Sequence, residues 1–308
     1  MLLSGFGGCD ETSPPDDKTE HGAIDANHKW ELKGSCPLDS KIGEFKISHY
    51  ETYSSLTGGL KDSVDPSQIL FPRETFTDCV LLQKINPDCD PACGTGETCK
   101  HGKECTPGNC PGECIAEPRN QNLGNLTITG LTNALSLEPN SSNYYQELDI
   151  DSPPFTSESK ISLYFPGKTG IDKFALDGLG VSPAVLIDKN WVIKRDKTTH
   201  EITDELKITW TPSNEGADIL ATLNVDQHGN SPATMFCTFK DTGSAVIPIE
   251  ALKKFAEYGV TGYASGHLYR RTVDSEKIST GCVELQTFSH AKVNLSVTNH
   301  DPSIVPSS

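Results

Sequence analysis

Three short stretches gather residue types that could carry chemistry. Asp241-Thr-Gly-Ser244 has the form of the aspartic protease signature, in which one Asp on a turn shares a proton with a second. That chemistry needs two carboxylates together, and the sequence holds no second Asp-Thr/Ser-Gly. Lys240 also stands before the Asp, where the signature wants an apolar residue. Asp-x-Gly between strand-like runs is what a turn requires anyway, so the protease reading is disfavoured. Asp226 and His228 would share one face if their strand continued. A metal would need a further ligand from elsewhere, and a polar hairpin turn explains the pair more simply. Gly266-His-Leu-Tyr-Arg-Arg-Thr272 is a compact basic-aromatic patch in an acidic chain. Tyr269 could stack on a sugar ring while Arg270 and Arg271 hydrogen-bond an anion or hydroxyls. The competing account is an internal arginine–carboxylate pair beside a half-buried tyrosine. Tyr269, Arg270, Arg271, Asp226 and His228 are therefore candidate binding residues. No catalytic residue, metal site or cofactor is assigned. Gly167-Lys-Thr169 has Ser162 where a phosphate loop needs Gly and opens no helix, so it is a surface turn.

The chain holds 11 cysteines. Cys89, Cys93, Cys99, Cys105, Cys110 and Cys114 fall in one apolar-poor stretch, spaced x3, x5, x5, x4 and x3. No Cys-x2-Cys pair occurs, which disfavours zinc and favours disulfides. Such a stretch cannot bury enough surface to hold itself together without crosslinks, and it implies an oxidising compartment. The six are expected to pair among themselves, with connectivity left open. Cys36 with Cys79, and Cys237 with Cys282, are the expected remaining bridges. That leaves Cys9, which follows Leu2-Leu3-Ser4-Gly5-Phe6-Gly7-Gly8. Small residues before a cysteine are the mark of a bacterial lipoprotein signal, although no basic n-region precedes them and the apolar run is short. Residues 1–9 are read as a signal remnant with Cys9 lipidated, and the acidic 10–27 as a flexible tether.

Net charge is −16, from 42 acidic against 26 basic residues. A nucleic-acid partner would demand a basic stripe, and none is visible. No run is long and apolar enough for a transmembrane helix. The expected partners are a membrane, through the lipid, and a glycan or an envelope protein.

The elements that must position these residues are strands. Residues 28–86 carry alternating patterns at Gly43–Tyr50 and an apolar run at Cys79–Leu82, with Gly58-Gly59 read as a turn. The cysteine knot, 87–118, reads as a rigid spacer. From 119 to 297, short apolar runs alternate with Gly, Pro and Asn: around Leu126, Ile161, Val185, Trp191, Leu206, Ile219, Thr234, Val283 and Val293. The pattern predicts an all-β fold, a jelly-roll-like β-sandwich preceded by a small β region and the knot. One helix is predicted over Pro248–Tyr258, with Ile249, Leu252, Phe255 and Ala256 on one face. The tail, 298–308, is expected to be disordered.

Several stretches taken together, Pro91–Cys99, Ile208–Pro212, Asn224–Gly229, Cys237 with Asp241–Ser244, and Tyr269–Asp274, resemble an uncharacterised group of predicted exported lipoproteins of myxobacteria and related bacteria. The likeness spans roughly residues 36–297. It implies periplasmic or cell-surface residence and carries no activity. The chain is thus expected to be an exported, lipid-anchored envelope protein with a non-enzymatic binding or structural role. The alternative is a carbohydrate-binding module or a secreted β-sandwich glycosidase.

Overall fold

Alternation sets the architecture. In Lys41–His49 (β1), Phe45 and Ile47 are wholly buried while Glu44 and Lys46 point the other way, the period-two pattern of a strand covered on one side. A computed structural model describes residues 32–66, 71–83, 87–102, 110–213, 216–226, 233–257 and 263–300. Cys9, the tether, Cys105 and His228 lie outside them, as do residues 301–308.

After β1 come β2 (Ser54–Leu60), β3 (Phe71–Thr75) and β4 (Cys79–Gln83). The knot contributes β5 (Glu97–His101) and β6 (Gly112–Ala116). Then follow β7 (Leu126–Thr129), β8 (Leu135–Leu137), β9 (Tyr145–Ile150), β10 (Lys160–Phe165), β11 (Phe174–Leu179) and β12 (Asn190–Asp196). The chain continues through β13 (Leu206–Thr209), β14 (Asp218–Asp226), β15 (Ala233–Lys240) and β16 (Ser244–Ile247). Helix α1 (Ile249–Ala256) leads to β17 (Tyr263–Ile278), β18 (Gly281–Lys292) and β19 (Asn294–His300).

A nine-stranded sheet runs in the order β3-β4-β15-β14-β17-β18-β1-β2-β9. It is mixed, because β1 lies parallel to β18 while its other pairings are antiparallel. One face is covered. The sheet β11-β10-β7-β8 closes over one half, where Phe45, Leu56, Val283 and Leu285 meet Ile128, Leu163, Phe165 and Leu176. The pairs β12-β19 and β13-β16, with α1, close over the other, around Trp191, Trp210, Ile219, Met235 and Phe255. The chain is an all-β sandwich with two cores under one sheet.

Between the cores runs a polar seam on β17 and β18. Thr272 Oγ1 and Thr287 Oγ1 lie 2.7 Å apart, and Thr287 donates to the Leu179 carbonyl at 2.5 Å. Ser289 donates to the Val181 carbonyl at 2.6 Å, and Asp274 accepts from the amides of Lys33 and Asp177, each at 2.9 Å. Every one of these side chains is buried, and each has its partner, as burial of polar groups demands.

The strands expected at 28–86 are present, but they belong to the sandwich sheet itself, β1 and β2 toward one edge and β3 and β4 at the other. The knot is therefore an excursion from the sandwich rather than a spacer between units. Gly58 is inside β2, not in a turn: a Cβ there would meet the Phe45 ring and stand 2.6 Å from the Glu44 carbonyl oxygen. Its missing side chain lets Phe45 lie flat across the neighbouring strand. Val185-Leu-Ile187 makes only a single bridge, Leu186 to Trp210, with Val185 and Ile187 exposed. Helix α1 falls inside its predicted span but is shorter, Ile249–Ala256, with Pro248 as its extended cap rather than its first helical residue, and with Leu252 and Phe255 buried. Strand β19 runs to His300, three residues into the expected tail.

Two expected bridges are exchanged. Cys36 bonds Cys282 and Cys79 bonds Cys237, with Cα separations of 5.8 and 4.0 Å. Cys79 and Cys237 face each other in the β4–β15 register. Cys36 could not reach Cys79: β15, β14 and β17 stand between β4 and β18. At about 4.8 Å per strand, that gap exceeds the roughly 7 Å that a disulfide spans. In the knot, Cys89 bonds Cys99 and Cys93 bonds Cys114, pinning the β5–β6 hairpin to the segment before it. Cys110 is disulfide-bonded to a partner outside the described residues.

Candidate functional site

Consecutive residues of β17 point to opposite faces, and this divides the predicted patch. Arg270 points inward and is 2% exposed. Its Nε donates to Asp241 Oδ2 at 2.8 Å, Nη1 to the Ser182 carbonyl and hydroxyl and the Pro183 carbonyl, and Nη2 to the Thr211 carbonyl. Asp241 also accepts from Trp210 Nε1 at 2.6 Å and from the Ser213 amide and hydroxyl. Burial raises the Asp241 carboxyl, but the Trp210 and Arg270 contacts outweigh it and hold it below the usual range. Arg270 is thus removed from the candidate binding residues. It is the internal arginine–carboxylate pair, and Asp241 is its structural counter-ion rather than half of a catalytic dyad.

Tyr269 and Arg271 point outward, to the face of the nine-stranded sheet opposite the second layer. There the register sets Tyr269 beside His290 and Arg271 beside Phe288. Six rings join. Tyr50 and Tyr53 stack with centroids 4.5 Å apart, and Tyr50 reaches His290 at 5.4 Å. Tyr269 contacts His290 at 5.2 Å, Phe288 edge-on at 5.3 Å and His267 at 5.9 Å. The cluster carries little charge. Burial lowers the pKa of His267 and of His290, the latter also through His267, and burial pushes Tyr269 up to about 12.

Two charged groups border the rings. The Arg271 Nε is buried without a hydrogen-bond partner among the described residues, while burial opposes its charge and the carboxylates of Asp218, Glu284 and Glu44 attract it. Asp218, across the sheet in register, is already paired with Lys240 at 2.9 Å. Further along, Lys41 Nζ bridges Glu44 at 2.6 Å and Glu284 at 3.1 Å, and Gln286 donates to both. Burial raises Glu44, but Lys46 and Lys41 prevail and it titrates at about 2.

Asp226 ends β14, in register with Tyr263; its side chain and His228 lie outside what is described. His267 lay within the Gly266–Thr272 patch, but the ring partners Tyr50, Tyr53, Phe288 and His290 escaped the sequence reading. Their only signal was alternation along β18, Phe288 and His290 being two apart, and that does not reveal which strand lies alongside. A separate cleft of about 430 Å³ near β8 and β9 is lined by Glu147, Asp149 and Asp151 with Leu131 and Ile150.

No family model and no curated sequence matches the chain. Among solved structures, the chicken CNTN1 FN1–FN3 domains align over 74% of this chain and 66% of that one, at 10% identity and a TM-score of 0.17. So low a score lends no argument, and the sandwich rests on its own sheets. The disulfides place the chain in an oxidising compartment. Among the described residues no helix is long and apolar enough to cross a membrane.

Proposed function

We propose that the chain is a non-enzymatic binding protein of the cell exterior, whose outer sheet face recognises neutral carbohydrate. One observation carries this: a continuous six-ring cluster, with Tyr53 46% exposed, stands beside Arg271, whose Nε has no hydrogen-bond partner among the described residues. Ring faces accept the C–H surface of a sugar, while tyrosine, histidine and guanidinium groups supply hydrogen bonds to its hydroxyls. The overall acidity opposes polyanionic glycans. A glycosidase would need one carboxylic acid that stays protonated near neutral pH. Glu44, ionised down to about pH 2 and locked to Lys41 and Lys46, cannot be that acid. Affinity electrophoresis in gels cast with neutral polysaccharides checks the reading: at least one glucan, xylan or mannan should retard the protein, and mobility unchanged in all would refute it.

Attachment to a bacterial membrane through lipid at Cys9 belongs to the same proposal, as does kinship with the exported lipoprotein group. Cysteine arithmetic supports the anchor. Of 11 cysteines nine are described, all of them disulfide-bonded. Two remain, and one of them pairs with Cys110, so one is left over; the Gly7-Gly8-Cys9 setting makes Cys9 the candidate. Mass spectrometry of the native protein should find a diacylglyceryl thioether on Cys9. A free thiol there would end the anchoring reading.

A further inference from the structure

His267 on β17 and His290 on β18 are diagonal neighbours across one strand pairing, since His267 is in register with Lys292. Their side chains converge, with Nδ1 of His267 only 3.2 Å from Nε2 of His290. Two imidazole nitrogens held at about 2.0 Å by a tetrahedral ion stand about 3.3 Å apart. The spacing is therefore already that of a chelate. Both rings lie on the outer face, half-buried and ringed by Tyr50 and Tyr269. That packing holds the rings in place before any ion arrives.

We infer that His267 and His290 form a two-histidine site for a borderline transition-metal ion such as Zn²⁺ or Cu²⁺, with the remaining coordination positions open to water or to a ligand oxygen. Imidazole pairs suit these ions better than Ca²⁺ or Mg²⁺, which prefer oxygen donors. The sheet supplies the rigidity. Both histidines sit within strands hydrogen-bonded on two sides, so little ordering is left to oppose binding. In the metal-free pair one nitrogen donates its proton to the other. Binding requires that the donor ring move its proton to its far nitrogen and that the two rings turn slightly, so that their lone pairs meet at the ion. This inference does not depend on carbohydrate binding, and either can fail without the other.

The test is titration of the full chain with ZnCl2 by calorimetry, and with CuCl2 by electron paramagnetic resonance, using Cys9→Ser as the parent so that neither a lipid nor a thiol at that position interferes. A single saturable site is expected, reversed by EDTA, with copper spectra showing two equivalent nitrogens. His267→Gln and His290→Gln should each weaken binding by about tenfold or more while leaving the melting temperature within a degree or two of the parent. Affinity unchanged in both variants, or no saturable binding by the parent, overturns the site. Should either variant fold poorly, carbethoxylation of the parent decides instead. Zn²⁺ should protect both His267 and His290 from diethyl pyrocarbonate, and unprotected rings at saturating metal would contradict the inference.

Discussion

Arg270 and Arg271 are neighbours in sequence and opposites in structure. The first is sealed between Asp241 and the carbonyls of Ser182, Pro183 and Thr211, with all of its donor nitrogens engaged. The second lies among Phe288, Asp218 and the ring cluster with its Nε unsatisfied. One peptide step along an extended strand changes which side of the sheet a residue faces, and that step decides whether an arginine is structure or surface. On the inward side of these two strands the buried polar side chains Arg270, Thr272, Asp274, Thr287 and Ser289 each have a hydrogen-bond partner. Outward, Arg271 is half-buried and its Nε has no hydrogen-bond partner among the described residues. The same split separates the Thr272, Thr287, Ser289 seam from the Tyr269, Phe288, His290 cluster on the same two strands.

The largest effect that would break this contrast is on stability. Arg270→Met strands the buried Asp241 carboxylate, and loss of a buried partner costs about 3–5 kcal/mol. Urea unfolding should show a loss of that order, and a change below about 1 kcal/mol would mean that the pair is not the strut described. Acid should come next. Asp241 and Glu44 are both held below their ordinary values, so their stabilisation is full above the unfolded-state values near 4 and is lost as pH falls, for Glu44 toward about 2. His267 and His290, lowered by burial, act in the same direction from about pH 6.5 downward, because protonation favours the unfolded chain. Melting temperature should therefore fall steadily from pH 7 to pH 3, and a maximum in the acid range would contradict these assignments. The smallest effect sharpens the contrast: Arg271→Met removes an unsatisfied buried nitrogen, so stability should be unchanged or higher by up to about 1 kcal/mol.

Much of the sandwich was legible because its strands alternate in the ordinary way: Phe45 and Ile47, Leu126 and Ile128, Ile161 and Leu163 are buried every second residue. Strand β17 was not. Its inward positions carry Arg270, Thr272 and Asp274, so no apolar alternation marks it, although it is the longest strand and sits between β14 and β18. The polarity is affordable only through groups supplied far away in sequence, such as Leu179, Ser182 and Asp241. The disulfide exchange has the same origin. Cys79 pairs with Cys237 across β4 and β15, 158 residues apart, and strand order within a sheet is invisible to a pattern of hydrophobicity. The ring cluster was half legible: Tyr269 and Arg271 were found by composition, but Tyr50, Tyr53 and His290 join them only through strand pairing.

The central claim is that β17 divides its two arginines between fold and recognition. It is tested most directly by measuring melting temperature and polysaccharide retardation on the same preparations of the parent, Arg271→Met and Tyr53→Ala. The account predicts that both variants melt with the parent yet lose about tenfold or more in affinity, a free-energy change of at least about 1.4 kcal/mol. Variants that melt with the parent and bind as tightly would contradict it.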